Sequence, residues 1–256
     1  MSICVLNCAT MAPWFPRWHV GTPCLLVETN QGLVLVDTGL GLHDHTSPSP
    51  VVRFFRSVLR VPNDPGLTAV RQLIRLGYQP EAVQHIILTH LHFDHAGGLP
   101  DFPHAQVHIH QREYHALRQL RSWMDMAYDH SHFAHGPHWV VYERPTEKWK
   151  GFDAFRLPFT PEMYLIPLFG HTRGHCGVAI RDENGWLFQC GDALPTNAQF
   201  DLTPDWLNQL AIGPHVPRLR AWAAAHPDVR IMAAHMWLSF FDTYGATQPV
   251  VSVDSG

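Results

Sequence analysis

The sequence predicts an α/β fold formed as one domain, and three observations carry that expectation. Strand and helix patterns alternate along the chain, several strand patterns end in turns that carry His or Asp, and the composition supports one large core. Apolar residues make up 46% and charged residues 16% of the 256 positions, against roughly 25% charged residues in ordinary globular chains. A length near the upper limit for a single core favours one domain spanning residues 1–256.

The elements follow in order. Apolar runs at Cys24 to Glu28 and Leu33 to Asp37 flank Thr29-Asn30-Gln31-Gly32, the pattern of a β-hairpin. Asp64 and Pro65 supply an N-cap and a first-turn proline for a helix whose stripe is Leu67, Val70, Leu73 and Ile74, with Gly77 as its stop. His85 to Thr89 is β-branched and short, a strand leading into the densest histidine cluster. Gln106 to His110 and Met163 to Pro167 read as strands, and Gln111 to Arg121 as a helix between them. Gly185 to Gln189 is a strand ending at Cys190-Gly191-Asp192; Thr203-Pro204 opens one helix, Pro217 to Ala225 forms another, and strand Val229 to Ala233 ends at His235. The stretch 123–149, rich in His, Tyr and Trp, has no clear period and reads as a long ordered insertion that lines a pocket.

Charge and composition narrow the function classes. A formal net charge of -4 with no basic run leaves no footprint for a phosphate backbone, so no nucleic-acid partner is expected. No apolar run approaches the roughly 20 residues that cross a bilayer, and Met1 to Trp14 lacks the basic start of an export signal. No membrane partner and a cytoplasmic location are therefore expected. The five cysteines form an odd set with no close pair, which fits free thiols in a reducing compartment. Histidine is the outlying count, at 20.

Four potential ligands, three of those histidines together with Asp94, crowd into Thr89-His90-Leu91-His92-Phe93-Asp94-His95-Ala96-Gly97-Gly98. In an extended segment His90, His92 and Asp94 would point to one side, and a tightening at Ala96-Gly97-Gly98 could swing His95 toward a second ion. Imidazole with carboxylate suits zinc and equally iron, manganese or cobalt. His171, Asp192 and His235 each follow an apolar strand and sit in or beside a turn, which adds three strand-end donors to the set.

His-x-His-x-Asp-His at 90–95, Gly170-His171-Thr172-Arg173-Gly174-His175, Gly191-Asp192 and Ala234-His235, in this order, resemble the metallo-β-lactamase superfamily. The match begins at the hairpin ending in Asp37-Thr38-Gly39 and covers most of the chain. The resemblance implies an αββα sandwich with the metal site at one edge of two facing sheets. It also implies two divalent metal ions, zinc first. His90, His92 and His171 would hold one, Asp94, His95 and His235 the other, and Asp192 would bridge them. Asp37 and His175 are expected just behind these ligands. Two cations sharing a water would bring its pKa toward neutrality and polarise a carbonyl or phosphoryl oxygen, with Asp94 as the catalytic proton shuttle.

Within the superfamily, the Thr22-to-Gly32 hairpin and the complete ligand set look most like the N-acyl homoserine lactone lactonases, which implies a small ester or lactone substrate. Those lactonases carry a tyrosine three residues after the bridging aspartate, where this chain has Pro195. Glyoxalase-II-like thioester hydrolysis is the first alternative. A mononuclear iron persulfide dioxygenase is the redox alternative, although its stretch after the bridging aspartate is absent from Ala193 to Asp201. A small molecule is the expected partner, and a homodimer is compatible with the sequence.

The remaining groups have plainer readings. His108 and His110 lie inside a strand with no acidic neighbour in sequence, so surface or packing roles are expected. His130, His132, His135 and His138 match no ligand spacing. Cys176 and Cys190 are expected as packed thiols. Trp14, Phe15, Trp18, Trp123, Tyr128, Phe133 and Trp139 could line an acyl or aromatic pocket, with ordinary core packing the commoner fate of such side chains.

Overall fold

Alternation along a strand sends successive side chains to opposite faces, and in this chain both faces of the first strands are apolar, so each must be covered. The computed structural model describes residues 3–14, 19–118, 123–196 and 215–244. One sheet runs in the order β1 (Ile3–Met11), β2 (Val20–Thr29), β3 (Gly32–Val36), β4 (Val83–Ile87), β5 (Gln106–His110) and β6 (His138–Tyr142). Its first three strands pair antiparallel and β3 to β6 pair in parallel. The other contains β7 (Glu147–Trp149), β8 (Phe152–Arg156), β9 (Met163–Pro167), β10 (Cys176–Asp182), β11 (Gly185–Gln189) and β12 (Val229–Met232), hydrogen-bonded in the order β12-β11-β10-β9-β8-β7. Only β11 and β12 are parallel there. A short β13 (Met236–Trp237) then returns to the first sheet beside β2.

The helices are α1 (Leu42–Thr46), α2 (Pro50–Leu59), α3 (Ala69–Arg75), α4 (Phe93–Ala96), α5 (Gln111–Ala116), α6 (His215–Ala225) and α7 (Leu238–Tyr244). Val5, Leu25, Val34 and Ile87 turn one way and pack with Phe155, Leu165, Val178 and Phe188 of the second sheet. Their strand neighbours Leu6, Leu26, Leu35 and Ile86 turn the other way and pack with Val70 and Leu73 of α3 and Ala116 of α5. Val216 and Leu219 of α6 join the core of the second sheet, with Trp222 against Trp149, Phe152 and Phe188. The layers therefore read helix, sheet, sheet, helix, as the resemblance implied. Each fully buried large apolar side chain contributes roughly 1.5–3 kcal/mol to this arrangement. Among the described residues, no helix is long and apolar enough to cross a membrane.

Several boundaries differ from the sequence expectation for physical reasons. Asp64 does cap the Gly66 amide at 2.9 Å, but Pro65–Leu67 closes only a 3₁₀ turn, and extended backbone at Thr68 delays the α-helix until Ala69. The stripe therefore loses phase, and Ile74, expected inside, is 47% exposed. The helix expected over Gln111 to Arg121 ends at Ala116, with residues 119–122 outside those described. The helix expected at Thr203-Pro204 also lies outside the described residues.

The stretch 123–149 is not a plain loop: it holds 3₁₀ turns at Trp123–Ala127 and His130–Phe133, then β6 and β7. β6 is an edge strand of intermediate exposure, so its hydrophobic alternation is weak in the sequence. Tyr128 is buried in the helix-side core, and Phe133 and Trp139 pack against the same cluster. Trp14 is exposed beneath Arg60, whereas Phe15, Trp18 and the Trp123 side chain lie outside the described residues.

His108 and His110 are core residues. His85 Nδ1 lies 3.0 Å from His108 Nε2, and His108 Nδ1 lies 2.8 Å from the Tyr142 hydroxyl, a chain across three adjacent strands. His110 Nδ1 accepts from the Arg112 amide at 3.0 Å and caps α5. Burial pushes His108 down to about 3 and His110 down to about 4. Both are neutral in the folded chain, while the unfolded chain takes up protons below about 6.5. Stability must then fall as pH falls through that window. Asp101, pushed up to about 6 by burial, acts in the opposite direction. In His108→Gln the position no longer titrates. The stability advantage of the parent over this variant should shrink by about 1.4 kcal/mol per pH unit between pH 6 and pH 4, as read from urea midpoints. A difference independent of pH would contradict a neutral, buried His108.

Candidate metal centre

The site is assembled where strands end. After β3 the chain turns at Asp37, whose φ of +58° lies in the left-handed region that aspartate tolerates. This turn buries its carboxylate, which accepts from the Thr89 amide and hydroxyl, both at 2.8 Å, and lies 2.9 Å from His95 Nδ1. His92 is the N-cap of α4, so the chain passes from extended to helical backbone between His92 and Phe93. The tightening therefore lies inside the motif, ahead of the expected Ala96-Gly97-Gly98. Within α4, Asp94 and His95 are adjacent on a helical turn and diverge from the direction set by His90 and His92.

Side chains behind the imidazoles set their rings. The Thr89 hydroxyl lies 3.0 Å from His90 Nδ1, and the Thr22 hydroxyl on β2 lies 3.2 Å from His235 Nδ1. With Asp37 on His95, the outer nitrogens of three rings are occupied and their Nε2 atoms face inward. Thr22 and Thr89 were not singled out in the sequence, because a threonine on a buried strand reads as ordinary β-propensity.

The seven expected donors converge. His90, His92 and His171 offer nitrogens lying within 4.8 Å of one another; so do the donor atoms of Asp94, His95 and His235, and those of His90, His95 and Asp192. Asp192 is central: its Oδ2 lies 3.3 Å from His90 Nε2, 3.1 Å from His95 Nε2 and 3.5 Å from His171 Nε2, while Oδ1 lies 3.4 Å from His235 Nε2. Asp94 Oδ2 is 3.6 Å from His95 Nε2 and 3.8 Å from His235 Nε2. His92 Nδ1 and His171 Nε2 are 3.0 Å apart.

The electrostatics suit cations. Burial holds His90, His92 and His171 below the usual histidine range, leaving lone pairs free. Burial also disfavours the charged Asp192, yet His171, His235 and His95 outweigh it and keep the carboxyl well below its ordinary range. The buried Nε2 atoms of His90 and His95 make no hydrogen bond of acceptable geometry. Buried polar atoms without partners are rare, and these two point at the carboxylate between them. The donor set thus fits divalent metal ions.

His175 sits close by in a different relation. Its Nδ1 donates to the Leu168 carbonyl at 3.1 Å, and its ring centroid is 5.1 Å from that of His90. The ring packs over Gly191, where φ is +52° and a Cβ would collide with His175 Nε2. A second buried group, Asp44, Asp129 and His132, ties 123–149 to α1, with His132 Nε2 2.8 Å from Asp44 Oδ1. Chain donors already serve these carboxylates: the Gly41 amide on Asp44, and the Ser131 amide and Ser49 hydroxyl on Asp129. Cys176 and Cys190 are buried thiols that burial pushes upward, as expected of packed side chains.

Above the donors opens a cavity of about 490 Å³ whose floor includes His92, Asp94, His171, Asp192 and His235. Its apolar wall comes from Phe54, Phe55, Val58 and Leu59 of α2 together with Met126, and Pro195 also lines it. The sequence reading missed this wall: α2 was not recognised, and of the stretch 123–149 only Met126 and Ala127 reach the cavity among the described residues.

Comparison with known proteins gives the same picture. A probable metallo-hydrolase of Mycobacterium bovis is 40% identical over 194 residues, covering 74% of this chain and 61% of its own length. The chain thus spans under two thirds of that relative. An N-acyl homoserine lactonase of Bacillus cereus is 28% identical over 182 residues, covering 70% of this chain and 66% of its own length. A solved structure of a Bacillus thuringiensis AiiA variant with N-decanoyl-L-homoserine at its active site superposes with a TM-score of 0.71 at 19% identity, covering 97% of this chain and 98% of that one. The profile of the metallo-beta-lactamase superfamily matches residues 63–234, most of the chain and every one of the seven converging donors except His235, and on that match the chain belongs to the metallo-β-lactamase superfamily.

Proposed function

We propose that this chain is a dinuclear metal-dependent hydrolase acting on a small ester or lactone that carries an acyl chain. The observation that carries this reading is the pair of donor triads meeting at Asp192 on the floor of an apolar cavity. His90, His92 and His171 would hold one ion, Asp94, His95 and His235 the second, with the Asp192 carboxylate shared. Zinc suits this nitrogen and carboxylate set, and manganese, iron or cobalt satisfy the same donors. Such ions, when bound, activate a water as nucleophile and polarise the carbonyl it attacks.

The protein groups divide the remaining work. Asp94 lines the cavity as a member of the second triad, placed to accept a proton from the attacking water and return it to the leaving oxygen. Asp37 and the two threonines fix ring orientation, which preserves the donor geometry through turnover. The α2 wall excludes water from the acyl chain and so supplies binding energy away from the reacting bond. Lactonases named among the relatives, and structures of such enzymes with acyl-homoserine products bound, support an acyl lactone as the first substrate to test.

Purified protein should carry two equivalents of divalent metal by elemental analysis and hydrolyse an acyl lactone or nitrophenyl ester, with loss of activity on chelation. One iron with oxygen uptake on a persulfide, or turnover confined to a thioester, would displace this reading. Asp94→Asn at full metal occupancy should lower kcat by about 100-fold or more with a smaller change in KM; unchanged turnover would remove the shuttle role. Phe54→Ala at the exposed rim should lower kcat/KM for a decanoyl lactone by about tenfold, roughly 1.4 kcal/mol, and leave a butanoyl lactone nearly unaffected. Equal losses on both chains would place the acyl group elsewhere.

A further inference from the structure

One buried carboxylate near the centre has no part in that scheme. Glu113, in the first turn of α5, is fully buried, and its two oxygens accept four hydrogen bonds. Oε1 accepts from the Leu91 amide at 3.0 Å and the Tyr128 hydroxyl at 2.8 Å; Oε2 accepts from the Thr172 hydroxyl at 2.7 Å and the Gly174 amide at 3.0 Å. Leu91 lies between His90 and His92, and Thr172 and Gly174 lie one and three residues after His171. A single side chain therefore clasps the two loops that bring the first triad together, one from each sheet. The approach is close: a Cβ on Gly174 would overlap the Glu113 backbone nitrogen. Tyr128 closes the clasp from the side, since it forms a backbone bridge with His92 and its ring centroid lies 5.3 Å from the His92 ring.

We propose that Glu113 is a positioning residue that locks the His90–His92 loop to the His171 loop and thereby sets the geometry of the first metal site. It acts through the backbone of both loops, whereas Asp37 acts directly on the His95 ring. A carboxylate is required because four donors converge on it, and a carboxylate offers four lone-pair sites without a donor of its own. An amide at this position would present an N–H₂ to one pair of donors. The hydroxyl of that pair can turn to accept, but the backbone N–H cannot, so one loop would be pushed away. The clasped groups lie at Leu91, Thr172 and Gly174, beside His90, His92 and His171, so the consequence falls first and most heavily on their site.

This inference rests on the metal-centre reading, and its test separates the two. Zinc affinity at each site is measured by competition with a chromophoric chelator on the full chain, alongside the visible spectrum of the cobalt-loaded protein. In Glu113→Gln one of two sites should weaken by about 10- to 100-fold, with an altered cobalt spectrum, while the other stays within about threefold. Thr172→Val, which removes one hydroxyl donor and retains the charge, should weaken the same site by a smaller factor and decides the matter if Glu113→Gln does not fold. Parental affinity at both sites and a parental cobalt spectrum in these variants, even with a lowered melting temperature, would make Glu113 a merely structural residue. A parent chain that binds no metal would overturn the metal-centre reading itself, and this proposal with it.

Discussion

The structure depends on one buried interaction, the Asp37 carboxylate at the end of β3. It receives the amide and hydroxyl of Thr89 and the outer nitrogen of His95, so it joins the end of one strand, the extension of the next and a short helix, all through buried residues. A buried carboxylate is costly unless its lone pairs are met. Here the groups that meet them are also the groups that orient donors. Thr89 passes the constraint on to His90, whose outer nitrogen its hydroxyl touches. The left-handed backbone at Asp37 is a local strain held at the point where these groups meet.

The centre was legible in the sequence because each of its donors sits beside a sharp local signal. His90 to His95 are dense, and His171, Asp192 and His235 each follow a clean apolar run into a turn. Strands β9 and β11 were readable for the same reason, since they are largely apolar segments buried along most of their length, and β5 was readable from the alternation of Val107 and Ile109 with polar residues. What escaped is what depends on distant partners. β6 becomes a strand by pairing with β5, and half-exposed edge positions carry little alternation of their own. α2 is the exception: opened by Ser49, whose side chain accepts from the Val52 amide, it carries Val51, Phe54, Phe55, Val58 and Leu59 at helical spacing opposite Arg53, Arg56 and Ser57, a stripe that was legible in the sequence. Glu113 is the clearest case of dependence on distant partners. Its four donors come from three separate parts of the chain, and nothing beside it in sequence distinguishes it from a glutamate on a surface helix.

Recognition and chemistry are thus divided between different kinds of structure. The donor groups stand on strand ends and turns braced by buried hydrogen bonds, where small displacements matter most to metal geometry. The cavity wall stands largely on α2 and the 3₁₀ turn Trp123–Ala127, elements outside both sheets, with Met11 of β1 and Val20 of β2 beside them. Changes in the wall can alter what the cavity admits without disturbing a donor, and Pro195 marks the boundary between the two regions, lining the cavity three residues beyond Asp192. A rigid ring there offers shape and no side-chain hydrogen bond.

The two sheets contribute donors unequally but jointly. His90 to His95 leave the first sheet, whereas His171, Asp192 and His235 leave the second. His92 and His171, 3.0 Å apart in space, are 79 residues apart in sequence. In polymer terms, an ion seated between them is a removable cross-link closing a long loop, and the entropy it withdraws from the unfolded chain grows with the logarithm of that loop's length. Occupancy would then act on the sandwich much as a disulfide does on a small secreted domain, with the difference that the bond is set by the concentration of free metal.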